Sequence, residues 1–514
     1  MNSDSGEVFT NKMTRALEDN VFVTGVTIFE MMETAGLVIS EEIESFVNSE
    51  FDGDIVFLVG FGNNGGDGLV ASRYLQEKGF NCQIVVVGNK TKFNSSASQE
   101  NYIKLKKILP AENWYQIREV NEIEDIFEKI GKKVLLIDCL FGIGIQGEMR
   151  EPYNSLVNFL NQKLDMDIIS ADLPSGYDSE VDTGVFIRNP KKIVCLGRNK
   201  IAPNAFPDTE IVVRNIGIQT EAEKFIGLGD LKWFYPVRKK DSHKRQNGVV
   251  TIIGGSKDYI GAPALAGMGA FRTGADLIFI LTPSNIRNTV ASYKPDFITM
   301  SANENEISPS DIQKLFSHPR IEGSSFVIGP GMMNTQNTRK TLLEFLESEE
   351  RREIVIDASA LSMMDEEHLK LLKNHNTILT PHRGEFKSIF GIKLSGIIEE
   401  DAEIVAETAL KWQTVILLKG KTDIISNGKK TKFNDTGHPG MTVGGTGDVL
   451  TGIVASLLAV NKDPFLSSCL GSYISGSAGE LAAKSYGDGL MASDISNFIY
   501  PIIEKALSFE AKEI

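Results

Sequence analysis

From residue 51 onward the chain alternates short, almost wholly apolar runs with longer amphipathic stretches. DIVFLV (54–59), QIVVVG (83–88), VLLIDCL (134–140) and DIISADLP (167–174) form a first series, continued by KKIVCLG (191–197) and EIVVRNIG (210–217). Apolar runs of this length, separated by helical stretches, predict a parallel sheet covered on both faces. A helix is expected at about 67–79 and a polar helix through Leu109. The first 45 or so residues also read as helical, with apolar positions three and four apart in IFEMMETAGLVI (28–39). The pattern loosens between about 217 and 247, where KWFYPVRKKDSHKRQNG reads as a solvated connector, with an anion-binding patch as the rival reading. A second alternating block follows: GVVTIIGG, ADLIFIL, SSFVIGPG, REIVIDASAL, NTILTPHRGE and TVILLKG, then an almost wholly helical stretch from Gly447 to the end. Two α/β domains are expected, 1–225 and 226–514, with no fixed-period repeat.

Composition changes little. The chain of 514 residues carries 68 acidic and 53 basic side chains, a net charge of −15, which argues against a nucleic-acid partner. No apolar run approaches the roughly 20 residues of a membrane span, and the first residues contain no signal-peptide core. A soluble cytoplasmic protein is expected. Cys82, Cys139, Cys195 and Cys469 have no metal-ligand spacing, so buried free thiols are expected.

The candidate chemistry sits where runs end. In GFGNNGGDGL, Gly60, Gly62 and Gly65 satisfy the glycine spacing of a dinucleotide loop. That loop also needs an acidic residue at the end of the second strand, to hold ribose hydroxyls. Asn89 and Lys90 stand there instead. The stretch carries Asn63, Asn64 and Asp67, oxygen donors that a plain phosphate loop does not need and a hard cation can use. Asp138, Asp172 and Ser175 end two further strands, and a second glycine-rich loop, FGIGIQG, follows Asp138. Each acid alone also reads as a helix cap or turn residue; together they point to one crevice at the carboxyl edge of a sheet. In the second block, GMTVGGTGD gathers backbone N–H groups before a long helix, an anion site with Asp448 beside it.

GFGNNGGDGLVASRYL, DCLFGIGIQGE and ADLPSGYDSEVDTG resemble the three signatures of NAD(P)H-hydrate epimerase domains, over about residues 10–220. The resemblance implies that Asn63, Asn64, Gly65, Gly66 and Asp67, with Gly142, Ile143, Gly144, Ile145, Gln146, Gly147, Glu148 and Asp172, contact the hydrated nucleotide. It implies Asp172 as acid/base and Asn64, Asp138 and Ser175 as potassium ligands. Tyr177 stands where the family has a smaller residue and is expected at the pocket rim. GSKDYIGAPALAG, GPGM, TPHRGE, KGKTD and GGTGD resemble the NAD(P)H-hydrate dehydratase domain of ribokinase-like fold, from about 245 to 510. There the resemblance implies Ala262, Gly331, His382 and Asp448 at the hydrate, with Asp448 as the catalytic base. Lys419, Gly420, Lys421, Thr422, Asp423 and Gly447 fall on the nucleotide positions. His382 also reads as an ordinary turn residue after a proline, and His438 stands near the glycine loop.

The fold expected is thus an N-terminal Rossmann-like three-layer αβα sheet joined to a C-terminal ribokinase-like αβα domain. The expected function is repair of hydrated nicotinamide nucleotides: epimerisation of the R and S hydrates (NADHX and NADPHX), and ADP-dependent dehydration of the S form, with ADP converted to AMP and phosphate, ATP as the alternative donor, and Mg²⁺. A homo-oligomer is implied, with the apolar helix IFEMMETAGLVI either at its contact or packed on its own sheet. The alternative is a ribokinase-type kinase of a small alcohol with a non-catalytic N-terminal binding domain.

Overall fold

The computed structural model describes residues 7–47, 53–130, 133–144, 149–163, 166–181 and 184–514. The chain divides into two compact units, residues 1–220 with 510–514, and residues 221–509. The last five residues, read from sequence as part of the second domain, group with the first unit.

In the first unit, strands β1 (Gly53–Val59), β2 (Cys82–Val87), β3 (Trp114–Ile117), β4 (Lys133–Cys139), β5 (Asp167–Ala171), β6 (Lys192–Leu196) and β7 (Glu210–Arg214) form one sheet of order β3-β2-β1-β4-β5-β6-β7. Every neighbouring pair is parallel. The order reverses direction at β1, and a crevice opens between β1 and β4 at their carboxyl ends, the usual ligand position in such sheets. Val56, Leu58, Val85, Leu136 and Ile168 pack into one face, while Ile55, Phe57 and Ile137 point the other way and are equally buried. Burial on both faces is what makes these strands read as continuous apolar runs.

Two helices precede β1. Helix α1 (Asn11–Phe22) is capped by Thr10, whose hydroxyl accepts from Met13 N. Helix α2 (Ile28–Phe46) starts in a capping box, Thr27 and Glu30 exchanging hydrogen bonds. Its apolar face lies on helix α3 (Asn63–Glu77): a Cβ on Gly36 would sit 2.3 Å from that of Val70. The face considered as an oligomer contact is therefore already covered within the unit.

In the second unit, β8 (Val249–Ile253), β9 (Leu277–Thr282), β10 (Ile298–Ser301), β11 (Ser325–Ile328), β12 (Glu353–Ile356), β13 (Asn376–Leu379), β14 (Val415–Leu418), β15 (Asp423–Ser426) and β16 (Thr431–Asn434) form a sheet of order β10-β9-β8-β11-β12-β13-β14-β15-β16. It is parallel up to β14 and ends in an antiparallel pair of hairpins. Side chains alternate between two cores: Val249, Phe326, Ile354 and Ile356 enter one, Val250, Ile252, Val327 and Val355 the other. The loops matched to the dehydratase pattern after β8, β11, β13 and β14 thus emerge along a row of neighbouring strands. The connector read between 217 and 247 contains two short helices, Thr220–Lys224 and Leu228–Phe234. All four cysteines are buried and free. Among the described residues, no helix is long and apolar enough to cross a membrane.

Helix Thr446–Asn461 lies directly on helix Ala262–Thr273. The approach is close enough that a Cβ on Gly452 would fall 1.9 Å from the carbonyl oxygen of Ala266. Gly444 in the loop before that helix has open space around it. Gly452→Ala should therefore destabilise the second unit by at least about 1–3 kcal/mol through overpacking, and Gly444→Ala should stay within about 0.5 kcal/mol of the parent. Chemical denaturation of the two variants checks the contrast; equal losses would refute it.

Candidate functional sites

The first site is a cavity of about 490 Å³ at the carboxyl ends of β1 and β4. Its walls include Arg15 and Glu18 of α1, Met31 and Met32 of α2, Gly62, Asn63, Asn64 and Asp67 at the start of α3, and Gly142, Ile143, Gly144 and Asp172. The stretch NNGGDG, expected as a loop before a helix starting near residue 67, is itself the first turns of α3. Two glycines make this possible by close backbone approach. A Cβ on Gly65 would sit 1.9 Å from the carbonyl oxygen of Gly60, and one on Gly60 would sit 2.1 Å from that of Leu140. Among the described residues no side chain caps α3, which leaves its first N–H groups without a side-chain partner.

The two asparagines differ. Asn63 is tied down, its Oδ1 accepting from Ser95 Oγ at 2.7 Å. Asn64 is buried, and among the described residues neither its Oδ1 nor its Nδ2 has a hydrogen-bond partner. A buried amide without partners is costly and signals a missing ligand or water. Asp138, fully buried, accepts from Ser175 N at 2.8 Å, from Ser170 Oγ at 3.0 Å and from Leu140 N at 3.3 Å, and is also bonded by Ser175 Oγ. Burial pushes its carboxyl above the usual range, while those bonds pull the other way.

Asp172 stands in a left-handed turn, φ 66°, directly after β5. Its Oδ1 lies 2.6 Å from Lys200 Nζ, which also donates to Leu196 O at 2.6 Å; the lysine is 2 % exposed. Burial alone would lower the lysine, but the charge of Asp172 outweighs it and holds the ammonium above its ordinary value. A Cβ on Gly142 would meet Asp172 Oδ2 at 2.4 Å. Burial, then the neighbouring charges of Asp172 and Glu18, raise Asp67 well above a normal carboxyl. Burial likewise brings Glu18 up to about 7, with Lys200 opposing and Asp172 reinforcing.

The second site follows the edge β8-β11-β12-β13-β14. Asp357, which ends β12, is buried. It accepts from Lys419 Nζ at 2.8 Å, Thr380 Oγ1 at 2.8 Å and Thr451 Oγ1 at 2.9 Å. These bonds and the ammonium charge outweigh burial and hold it below the usual carboxylate range. Lys419, in turn, sits 3.4 Å from where a Cβ on Gly447 would be. Gly445, at φ 96°, precedes the helix Thr446–Asn461 without a side-chain cap, leaving N–H groups around Asp448. Asp448 is pushed up to about 7, by burial first and by the charge of Asp357 second, with Lys419 opposing.

Family models match the two units separately: "YjeF-related protein N-terminus" over residues 29–202 and "NAD(P)H-hydrate dehydratase" over 250–501. A bifunctional NAD(P)H-hydrate repair enzyme of Methanocaldococcus jannaschii is 36 % identical over 94 % of this chain and 90 % of its own. That of Methanothermobacter thermautotrophicus is 33 % identical over 95 % and 94 %. The chain belongs to the bifunctional NAD(P)H-hydrate repair enzymes. An ADP/ATP-dependent NAD(P)H-hydrate dehydratase from Bacillus subtilis, co-crystallised with ATP/Mg²⁺, is 27 % identical; the match covers 55 % of this chain and 98 % of that one, at a TM-score of 0.48.

In this repair enzyme the residues singled out by sequence fall as follows. Asn63, Asn64, Asp67, Gly142, Ile143, Gly144 and Asp172 line one cavity, and Gly65 and Gly66 lie in the same helical turn. Asp138 and Ser175 meet beside it. Ile145, Gln146, Gly147 and Glu148 lie outside the described residues. Tyr177 is not at the rim: its ring packs on Phe186 and Phe206, and its hydroxyl accepts from Ala202 N, because the bulky ring fills a small core under the turn. In the second unit Gly331 and Ala262 touch; a Cβ on Gly331 would lie 3.0 Å from that of Ala262. His382 pairs with Lys419 across adjacent strand ends. Its Nδ1 accepts from Gly384 N and Glu385 N, so it caps a helix, and its Nε2, on an exposed side chain, lies 3.6 Å from Glu385 Oε2. Lys421 and Thr422 stay on that loop, whereas Asp423 is turned inward: Gly420 N and Ser472 Oγ both donate to it. His438 is a turn residue, capping Gly440 N.

Sequence reasoning missed Glu18, Lys200 and Asp357. The last stands at the end of REIVID, where a strand-end acid was readable; the other two carry no local signal. Among the described residues no group of three or more His, Cys, Asp or Glu is arranged to hold a metal.

Asp448 has a folded-state carboxyl raised above its unfolded value. Its contribution to stability is therefore present at low pH and is lost as pH rises through about 7. Asp448→Asn removes that titration, so the variant should gain stability relative to the parent between pH 5 and 8. Denaturation midpoints across that range check it; a pH-independent difference would show that Asp448 titrates normally.

Proposed function

We propose that this chain repairs hydrated nicotinamide nucleotides, NADHX and NADPHX, in two steps, one per unit. The first unit interconverts the R and S hydrates in the cavity at β1 and β4. The second dehydrates the S form with ADP, releasing AMP and phosphate, with ATP as the alternative phosphoryl donor. The observation that carries the reading is the coexistence, in one chain, of two carboxyl groups, each beside a lysine and an uncapped helix start: Asp172 on Lys200, and Asp448 near Lys419.

In the first unit the hydroxyl-bearing carbon lies beside a ring nitrogen, so inversion can proceed by loss and return of water. Asp172 accepts or returns the proton, and Lys200 orients it. The uncapped start of α3 and the loop from Gly142 receive the nucleotide. Among the described residues Asn64 Oδ1 is a buried oxygen without a partner, and Asp138 and Ser175 supply further hard oxygens from β4 and from the turn after β5. That donor set fits potassium, which would supply positive charge to order these oxygens and the substrate.

In the second unit Asp448 removes the proton of the hydrate hydroxyl as its oxygen attacks the terminal phosphoryl group. The N–H groups around Gly447 and the Lys419 ammonium neutralise the transferred charge. Mg²⁺ accompanying the nucleotide would add charge neutralisation there. Elimination of phosphate from the esterified hydrate then restores the dihydronicotinamide. Asp357 holds Lys419 in place, and Ala262, Gly331 and the exposed ring of His382 face the hydrate.

Asp448→Asn should lower S-hydrate dehydration by about 10²–10⁴-fold. Because the base must be ionised, dehydration by the parent should rise with pH through about 7. Asp172→Ala should stop R-hydrate conversion and leave S-hydrate dehydration intact. Recovery of absorbance at the dihydronicotinamide band, from each epimer with ADP or ATP, checks all three. A stable phosphorylated alcohol as final product would instead identify a kinase.

A further inference from the structure

Asp172 accounts for one proton of an epimerisation that needs two. Loss of water requires a donor at the departing hydroxyl, and return of water to the other face requires an acceptor. Two carboxyl groups on different elements of the cavity can divide these tasks. Glu18 lines the same cavity from α1, an element separate from the β5 turn that carries Asp172. It is close enough to Lys200 and Asp172 for their charges to act on it.

We propose that Glu18 is the general acid of the epimerisation, paired with Asp172 as the general base. The inference rests on the epimerase reading of the first unit. Protonated Glu18 gives its proton to the ring hydroxyl. The carbon–oxygen bond breaks, its electron pair leaves with water, and the lone pair of the ring nitrogen forms a C=N⁺ bond. Water adds to the opposite face of that carbon, the C=N⁺ pair returns to nitrogen, and Asp172 takes the surplus proton. Proton return from Asp172 to Glu18 through cavity water closes the cycle, and no other reactant is consumed. The reverse direction uses the same two groups with roles exchanged.

The charged groups acting on Glu18 are Lys200 and Arg15, which favour its ionised form, and Asp172, Asp19 and Asp67, which oppose it. With burial added, its carboxyl titrates near 7, so it both holds and releases a proton at neutral pH. Asp67, in the same cavity, is raised well above its ordinary value by burial first and by the charges of Asp172 and Glu18 second. The split between a paired and an unpaired carboxyl in one pocket is the arrangement that assigns base and acid.

The test uses the full chain, purified R hydrate, and no nucleotide, so that dehydration is silent. Glu18→Gln should lose about 10²-fold or more of the conversion above the spontaneous rate, and Glu18→Asp should retain more than Glu18→Gln. The parent should lose rate as pH rises through about 7, and the glutamine variant should lack that limb. In ¹⁸O-labelled water the S epimer should carry solvent oxygen at the inverted carbon. S-hydrate dehydration with ADP, measured on the same samples, should be unchanged, and a thermal melt reports whether the first unit is folded. Conversion by Glu18→Gln within about threefold of the parent, with the limb in place, would overturn the assignment. So would an S epimer that retains its original oxygen. If the glutamine variant does not fold, a folded Glu18→Asp with unaltered rate and pH limb would overturn it too. A parent that never exceeds the spontaneous rate refutes the epimerase reading itself, a different outcome.

Discussion

Lys200 has its ammonium 2.6 Å from Asp172 and 2.6 Å from the carbonyl of Leu196, with almost no solvent to share it. Removing two charges from water costs several kcal/mol each, and only close geometry with further hydrogen bonds offsets that. The first unit is arranged to supply it. The β5–β6 register brings Val194 O to the amide of Asp172, and the chain after β6 brings Lys200 back under it. The left-handed turn at Asp172 aims its second oxygen at the loop, where Gly142 alone leaves room. The cavity is shaped around a charge pair that neither partner could keep alone.

The second unit solves the same problem with other elements. Lys419 just after β14 reaches Asp357 just after β12, and Thr380 just after β13 and Thr451 of the long helix complete the carboxylate's bonds. In each unit a second carboxyl sits beside the pair without a lysine of its own: Glu18 in one, Asp448 in the other. Burial then raises that second group toward neutrality. In each unit a buried ion pair thus stands beside a second carboxyl that burial raises.

Much of this was legible beforehand because strands buried on both faces advertise themselves as apolar runs, and ligand loops in open α/β sheets follow strand ends. Asn64, Asp67, Asp138, Asp172 and Asp448 were singled out that way. The start of α3 was misplaced because NNGGDG is poor in helix formers, and backbone contacts at Gly60 and Gly65 overrode that propensity. Tyr177 was misread because a strand-end position does not say which way a ring turns. Lys200 and Glu18 escaped because each looks like an ordinary charged residue in its own stretch.

The sequence by itself determined the two α/β sheets, the edge on which each site lies, and the family signatures in the loops. These follow from local periodicity and from glycine and acid positions, which a linear reading contains. Only the tertiary structure decided which carboxyl is paired and which is left to titrate. That depends on a lysine 28 residues from Asp172, and on one 62 residues from Asp357, arriving in a space too dry for either charge alone. Dielectric and proximity are properties of the folded chain, and no single stretch of residues encodes them.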